Sequence, residues 1–259
     1  GGVDYIVALG STAETATLSL KERDEVLRFI INRTNGRVPI VAGMGSNNTA
    51  DLVEQLHSFN LDGVVAILSV VPYYNKPSQE GIYRHFMAVA DASPVPVIIY
   101  NVPGRTGLNM TAATTLRLAH ATPKIVAIKE ACGNIEQMQA ILDGRPEDFL
   151  VLSGDDGITV ELVKRGGDGV ISVAANAFPE RFCGCVHNAM KGNIELAESE
   201  IAELTPAIDL LFKEGNPTGV KAMTAAMGIT RSEVRLPLVE GTENLAADIK
   251  SAIARYELK

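Results

Sequence analysis

Along this chain, short unbroken apolar runs alternate with longer stretches in which apolar residues recur every three or four positions. The runs at 5–9, 39–42, 63–69, 95–100, 125–129, 149–152 and 169–173 are rich in Val and Ile. An apolar run without polar alternation is what a parallel strand buried on both faces requires. Between the runs, segments near 19–34, 49–60, 78–91, 111–120, 134–142 and 157–165 read as helices. Ser19 before Leu20-Lys21-Glu22, Asn48 before Thr49 and Ser78 ahead of Gln79-Glu80 are start signals. A short polar side chain at such a position accepts one of the orphan N–H groups of the first turn. After about residue 177 the strand signals stop, and 179–190, 193–213, 217–227 and 243–256 read as helices.

Strand, helix, strand, repeated, predicts a parallel sheet with right-handed crossovers. The pattern holds seven strands, where a closed (β/α)8 TIM barrel has eight. An open doubly wound sheet is the alternative. The first strand begins almost at once, after Gly1-Gly2-Val3-Asp4. The expectation is therefore a (β/α)8 barrel whose first strand and helix lie before residue 1. Residues 1–177 would form the barrel, and 178–259 the last barrel helix and a C-terminal helical extension. A barrel short of one strand would leave two sheet edges unpaired.

Composition narrows the function classes. Of 259 residues, 46% are hydrophobic and 21% charged, as in a soluble globular protein. No apolar run is long enough to span a bilayer. The net charge of −8, with no basic cluster, argues against nucleic acid or an anionic membrane as partner. The three cysteines, Cys132, Cys183 and Cys185, are too few for a disulfide framework and fit a reducing cytoplasm. Cys183-Gly184-Cys185 is spaced too closely for a zinc knuckle. His57, His85, His120 and His187 all fall in helical segments without paired spacing, so no metal site is expected. Gly43-Met44-Gly45 lacks the third glycine of a dinucleotide loop.

In a barrel the C-terminal strand ends form the active face. There stand Ser11 and Thr12, Tyr73 and Tyr74, Tyr100 and Arg105, Lys129, Asp155 and Asp156, and the stretch around Ile171. Lys129 closes the apolar run Ile125-Val126-Ala127-Ile128. A desolvated lysine loses pKa and becomes a nucleophilic amine suited to imine chemistry with a carbonyl substrate. Imine and enamine formation need proton shuttling, for which Ser11, Tyr74 and Tyr100 offer a relay. Ser11, Thr12 and nearby N–H groups can hold a keto-acid carboxylate, and Arg105 a second one bidentately. Asp155-Asp156 precedes a helical segment and reads as a cap before it reads as a metal pair.

These motifs resemble the dihydrodipicolinate synthase/N-acetylneuraminate lyase family over essentially the whole chain. They are Gly10-Ser11-Thr12-Ala13-Glu14, Pro72-Tyr73-Tyr74-Asn75-Lys76-Pro77, Tyr100 to Gly107, Lys129-Glu130-Ala131, Ser153-Gly154-Asp155-Asp156 and Gly169-Val170-Ile171-Ser172. The resemblance implies a (β/α)8 barrel with a helical extension, usually assembled as a homotetramer, with a dimer as the smaller option. It implies condensation of pyruvate with aspartate 4-semialdehyde to 4-hydroxy-tetrahydrodipicolinate, in the diaminopimelate route to lysine, with no metal or organic cofactor. Lys129 then matches the Schiff-base lysine, Tyr100 the proton-transferring tyrosine, and Ser11 a relay position usually held by threonine. Tyr74 matches the relay tyrosine that a neighbouring subunit contributes. Thr12 and Ile171 match pyruvate contacts, and Arg105 the residue that binds the aldehyde's carboxylate. Thr15, Ala16, Asn47, Asp51 and Tyr73 match an allosteric lysine site, Asp51 standing where glutamate is usual. Ala13 replaces a glycine, so that loop is expected to avoid positive φ. The rival readings are a sibling aldolase or dehydratase acting on a sugar acid, and a non-catalytic barrel that binds a keto acid or lysine.

Overall fold

A computed structural model describes residues 1–256. The apolar runs become β1 (Ile6–Ala8), β2 (Ile40–Gly43), β3 (Ala66–Val70), β4 (Val97–Asn101), β5 (Ile125–Glu130), β6 (Leu150–Ser153) and β7 (Gly169–Val170). They form one seven-stranded sheet in the order β1-β2-β3-β4-β5-β6-β7, every pair parallel. A doubly wound sheet reverses its strand order at a switch point. This sheet never does; its strands progress in sequence order as barrel strands do.

Helices follow the strands as the periodicity predicts. They are α1 (Leu20–Thr34), α2 (Thr49–Ser58), α3 (Gln79–Ala92), the single turn α4 (Pro103–Thr106), α5 (Ala112–Ala121), α6 (Ile135–Gly144) and α7 (Thr159–Lys164). The three start signals act as caps. Ser19 and Glu22 close a reciprocal capping box on α1, Asn48 accepts from Ala50 N, and Ser78 accepts from Gly81 N. The C-terminal helices are α8 (Pro179–Met190), α9 (Ile194–Phe212), α10 (Thr218–Ala226) and α11 (Glu243–Tyr256). Among the described residues, no helix is long and apolar enough to cross a membrane.

Several boundaries move for local reasons. The run at 63–69 starts pairing only at Ala66, because Gly63 sits at φ +83 in the preceding turn. The run at 169–173 pairs over two residues only. β4 and β5 each extend one residue beyond the apolar run, taking in Asn101 and Glu130. The helical turn α4 was not legible, and it moves Arg105 from a plain loop onto a helix. Ala13 lies in a 3-10 turn, but the loop does not avoid positive φ as expected: Leu9 stands at 58° and Glu14 at 55°.

Strand alternation divides the apolar residues into two layers. Ile40, Ala42, Ile67, Val97, Ile99, Ile128 and Val151 pack toward the helices with Leu27, Leu52, Phe86 and Met138. Val41, Ala66, Leu68, Ile98, Tyr100, Ala127, Leu152 and Ile171 form the inner face. A third cluster joins α7 to the C-terminal helices through Val160, Phe182, Leu204 and Leu245. The period of two has one consequence for chemistry. Ala127 faces inward, so Lys129 does too, while Ile128 and Glu130 face the helices.

Candidate active site

The parallel register of β4 and β5 pairs Tyr100 with Lys129. Both side chains lie on the inner face at the C-terminal strand ends, with Lys129 Nζ 4.2 Å from the centroid of the Tyr100 ring. Lys129 is only 8% exposed. Burial brings its pKa from 10.5 down to about 8; the Asp156 charge opposes that shift and the Arg105 charge adds to it. Burial also raises the Tyr100 phenol above its usual range, against the pull of Arg105 and of a hydrogen bond with Ser11. The amine is thus poised to lose its proton near neutrality, beside a phenol that keeps its own. That pairing suits nucleophilic attack on a carbonyl followed by local proton transfer.

Room for the lysine comes from a glycine. A Cβ on Gly154 would stand 3.1 Å from Lys129 Cε and 2.6 Å from Ala131 Cβ. Ser11 and Thr12 stand on the 3-10 turn after β1. Ser11, Tyr100, Arg105 and Tyr73 line a cleft of about 380 Å³, together with Thr15, Ala16 and Arg23. Ile171 is buried on the inner face, next in sequence to β7. The fold therefore brings together Lys129, Tyr100, Ser11, Arg105 and Ile171 around the strand ends, with Thr12 one residue from Ser11.

Tyr74 is a different case. It is 87% exposed and holds φ 71 in the loop after β3. Within one chain it does not reach the Tyr100–Ser11 pair. Of the residues matched to a lysine site, Thr15, Ala16 and Tyr73 line the cleft. Asp51 instead accepts from Ser46 Oγ at 3.0 Å and Gln55 Nε2 at 2.8 Å at the start of α2, and Asn47 O accepts from Asn75 Nδ2 at 2.9 Å.

One contributor escaped the sequence reading, and a second has another role than the cap expected of it. Asn216, between α9 and α10, donates from Nδ2 to Thr12 Oγ1 at 3.0 Å, and its carbonyl accepts from Arg105 at 3.1 Å. It lies 204 positions from Thr12, and only the Gly-Asn-Pro break between helices marks it in the sequence. The second is Asp156. Asp155 caps as expected, accepting from Gly157 N at 2.9 Å. Asp156 does not cap. It is buried, and its Oδ2 accepts from Val173 N at 3.1 Å and Ala174 N at 2.9 Å. Its Oδ1 has no partner; burial raises this carboxyl, hydrogen bonds with Ser172, Ala174 and Val173 oppose the rise, and its charged form draws the Lys129 pKa upward.

A model of the dihydrodipicolinate synthetase family matches residues 1–255. The 4-hydroxy-tetrahydrodipicolinate synthase of Parabacteroides distasonis is 51% identical over 238 residues, covering 92% of this chain and 80% of that protein. Among solved structures, the chloride-inhibited dihydrodipicolinate synthase from Acinetobacter baumannii, complexed with pyruvate, is 38% identical with a TM-score of 0.96. That match covers 100% of this chain and 88% of the other. The enzyme from Cyanidioschyzon merolae with lysine bound is 38% identical with a TM-score of 0.95, covering 99% of this chain and 87% of the other.

Proposed function

The chain belongs to the dihydrodipicolinate synthetase family, and from that premise we infer that it is a lyase that condenses pyruvate with aspartate 4-semialdehyde to 4-hydroxy-tetrahydrodipicolinate. That reaction serves the diaminopimelate route to lysine. The curated relatives carry this activity in their name, which does not favour the sugar-acid alternative. The observation that carries the reading is Lys129, a buried amine whose pKa falls to about 8, set against Tyr100.

Neutral Lys129 adds to the keto carbon of pyruvate and, with loss of water, forms an imine. Removal of a methyl proton gives the enamine, whose carbon attacks the aldehyde carbon of the semialdehyde. The new alkoxide takes a proton. The semialdehyde's own amine then displaces Lys129 from the imine carbon, closing the ring and restoring the free lysine. We assign the proton transfers to Tyr100 through Ser11, pyruvate carboxylate binding to Thr12 and nearby N–H groups, and a pyruvate contact to Ile171. Arg105 takes the semialdehyde carboxylate, supported by its place on the cleft beside Asn216. Tyr74, turned outward, serves as a relay group for a second subunit in a homo-oligomer. Thr15, Ala16 and Tyr73, with Asn47 and Asp51 beside them, form the candidate effector site for lysine.

We propose that one further parallel strand between β1 and β7 would close this sheet into a barrel. Residues of both edges line one apolar cavity of about 760 Å³, together with α8, which is the surface such a strand would cover. The experiment that tests the chemistry is borohydride trapping with pyruvate, read by peptide mass. A reduced pyruvyl adduct on Lys129 is expected. No adduct on folded protein would sink the reading and favour a non-catalytic barrel.

A further inference from the structure

Next to the reacting pair stands a second pair that the chemistry leaves unused. The register that sets Tyr100 opposite Lys129 sets Asn101 opposite Glu130. Alternation turns these two side chains to the helix side of the sheet, where both are 0% exposed. Asn101 Nδ2 donates to Glu130 Oε1 at 2.9 Å and Oε2 at 3.0 Å. Cys132 N donates to Oε1 at 2.9 Å and Gln137 Nε2 to Oε2 at 3.0 Å. Asn101 Oδ1 accepts from Met110 N at 3.0 Å, and Gln137 Oε1 accepts from Asn109 Nδ2 at 2.8 Å.

Those partners of the carboxylate are all neutral N–H donors. Burial raises the Glu130 carboxyl, and the donors of Asn101, Gln137 and Cys132 oppose that rise. A buried carboxylate without a cation is costly unless its hydrogen bonds are made. Here the bonds join four pieces of chain: the end of β4, the end of β5, the 109–110 loop and the first turn of α6. The loop belongs to the same connection that carries Arg105.

We propose that Asn101 and Glu130 are positioning residues for the reaction, their hydrogen bond across β4 and β5 locking the register that holds Tyr100 against Lys129. The proposal rests on the roles given above to Lys129 and Tyr100. Imine formation also moves protons, but at saturating pyruvate the trapped fraction reports the imine equilibrium, which the position of the phenol does not set. The later proton transfers need the phenol aligned in every turnover, and a misplacement of about 1 Å costs up to roughly 10²-fold. Loosening the clamp therefore separates the two events.

The test compares Glu130→Gln, Asn101→Asp, the double variant and the milder Gln137→Met with unmodified protein. It reads kcat, KM for pyruvate, and the fraction of Lys129 trapped by borohydride at saturating pyruvate. The single variants at 101 and 130 are expected to lose roughly 10- to 100-fold in kcat with KM and the trapped fraction unchanged. The double variant exchanges carboxylate and amide, keeps a bond across the strands, and recovers part of kcat over either single. Gln137→Met, which removes one donor from the helix side, lowers kcat severalfold. The proposal is overturned if a folded single variant or Gln137→Met keeps full kcat. It is equally overturned if kcat and trapping fall in proportion, or if the double variant is no better than the singles. Failure of the underlying reading looks different, since unmodified protein would then give no adduct at all.

Discussion

Replacing Lys129 with methionine should make the protein more stable while abolishing turnover. The substitution keeps a straight apolar stem and removes a buried ammonium. In the folded chain burial lowers the lysine pKa from 10.5 to about 8. Below pH 8 both folded and unfolded chains carry the proton, so the folded chain bears the full cost of desolvation. Between about pH 8 and 10.5 only the unfolded chain keeps it, so stability rises with pH across that window. Above 10.5 the difference is gone. At ~1.36 kcal/mol per pKa unit, the cost at pH 7 is ~3 kcal/mol. The ammonium lies 4.2 Å from the Tyr100 ring centroid, and a partly desolvated cation–π contact returns ~0.5–2 kcal/mol. Lys129→Met should therefore gain ~1.5–3 kcal/mol at pH 7, by the same principles. The gain should fall below ~1 kcal/mol at pH 10, where most of the folded lysine is already neutral. Urea unfolding at the two pH values measures both numbers. A variant no more stable than the parent at pH 7, or a gain that does not shrink at pH 10, would refute the account of Lys129 as a desolvated amine.

Three further outcomes follow from the same geometry. Tyr100→Phe should slow steady-state turnover by roughly 10²–10⁴ while borohydride still traps pyruvate on Lys129; an unchanged rate would remove the phenol from the relay. Gly154→Ala puts a Cβ 2.6 Å from that of Ala131 and 3.1 Å from Lys129 Cε. It should cost ~1–3 kcal/mol by overpacking and reduce the trapped fraction, as measured by denaturant midpoint and adduct yield. Phe86→Ala empties a fully buried position on α3 and should cost ~3–5 kcal/mol in urea unfolding, with KM for pyruvate unmoved because the ring packs on the helix side.

The sequence alone determined the element order. Unbroken Val/Ile runs are legible because parallel strands buried on both faces must be apolar throughout. Ser19, Asn48 and Ser78 announce their helices because a cap is a local event within three residues. The reacting lysine was legible for the same kind of reason, a charged residue ending an apolar run, and the motifs around it supplied its companions.

What the tertiary structure decided is everything that depends on which strands pair and in what register. Only the β4–β5 register makes Tyr100 the neighbour of Lys129 and Asn101 the neighbour of Glu130. Only the return of the C-terminal helices brings Asn216 onto Thr12 and Arg105. Asp155 and Asp156, adjacent and identical in type, divide into a cap and a buried acceptor because successive residues there turn to different surroundings. Local rules act over a few residues and can be read in order. Register, burial and charge in the site are set by contacts between distant parts of the chain, and those exist only once the sheet has curled.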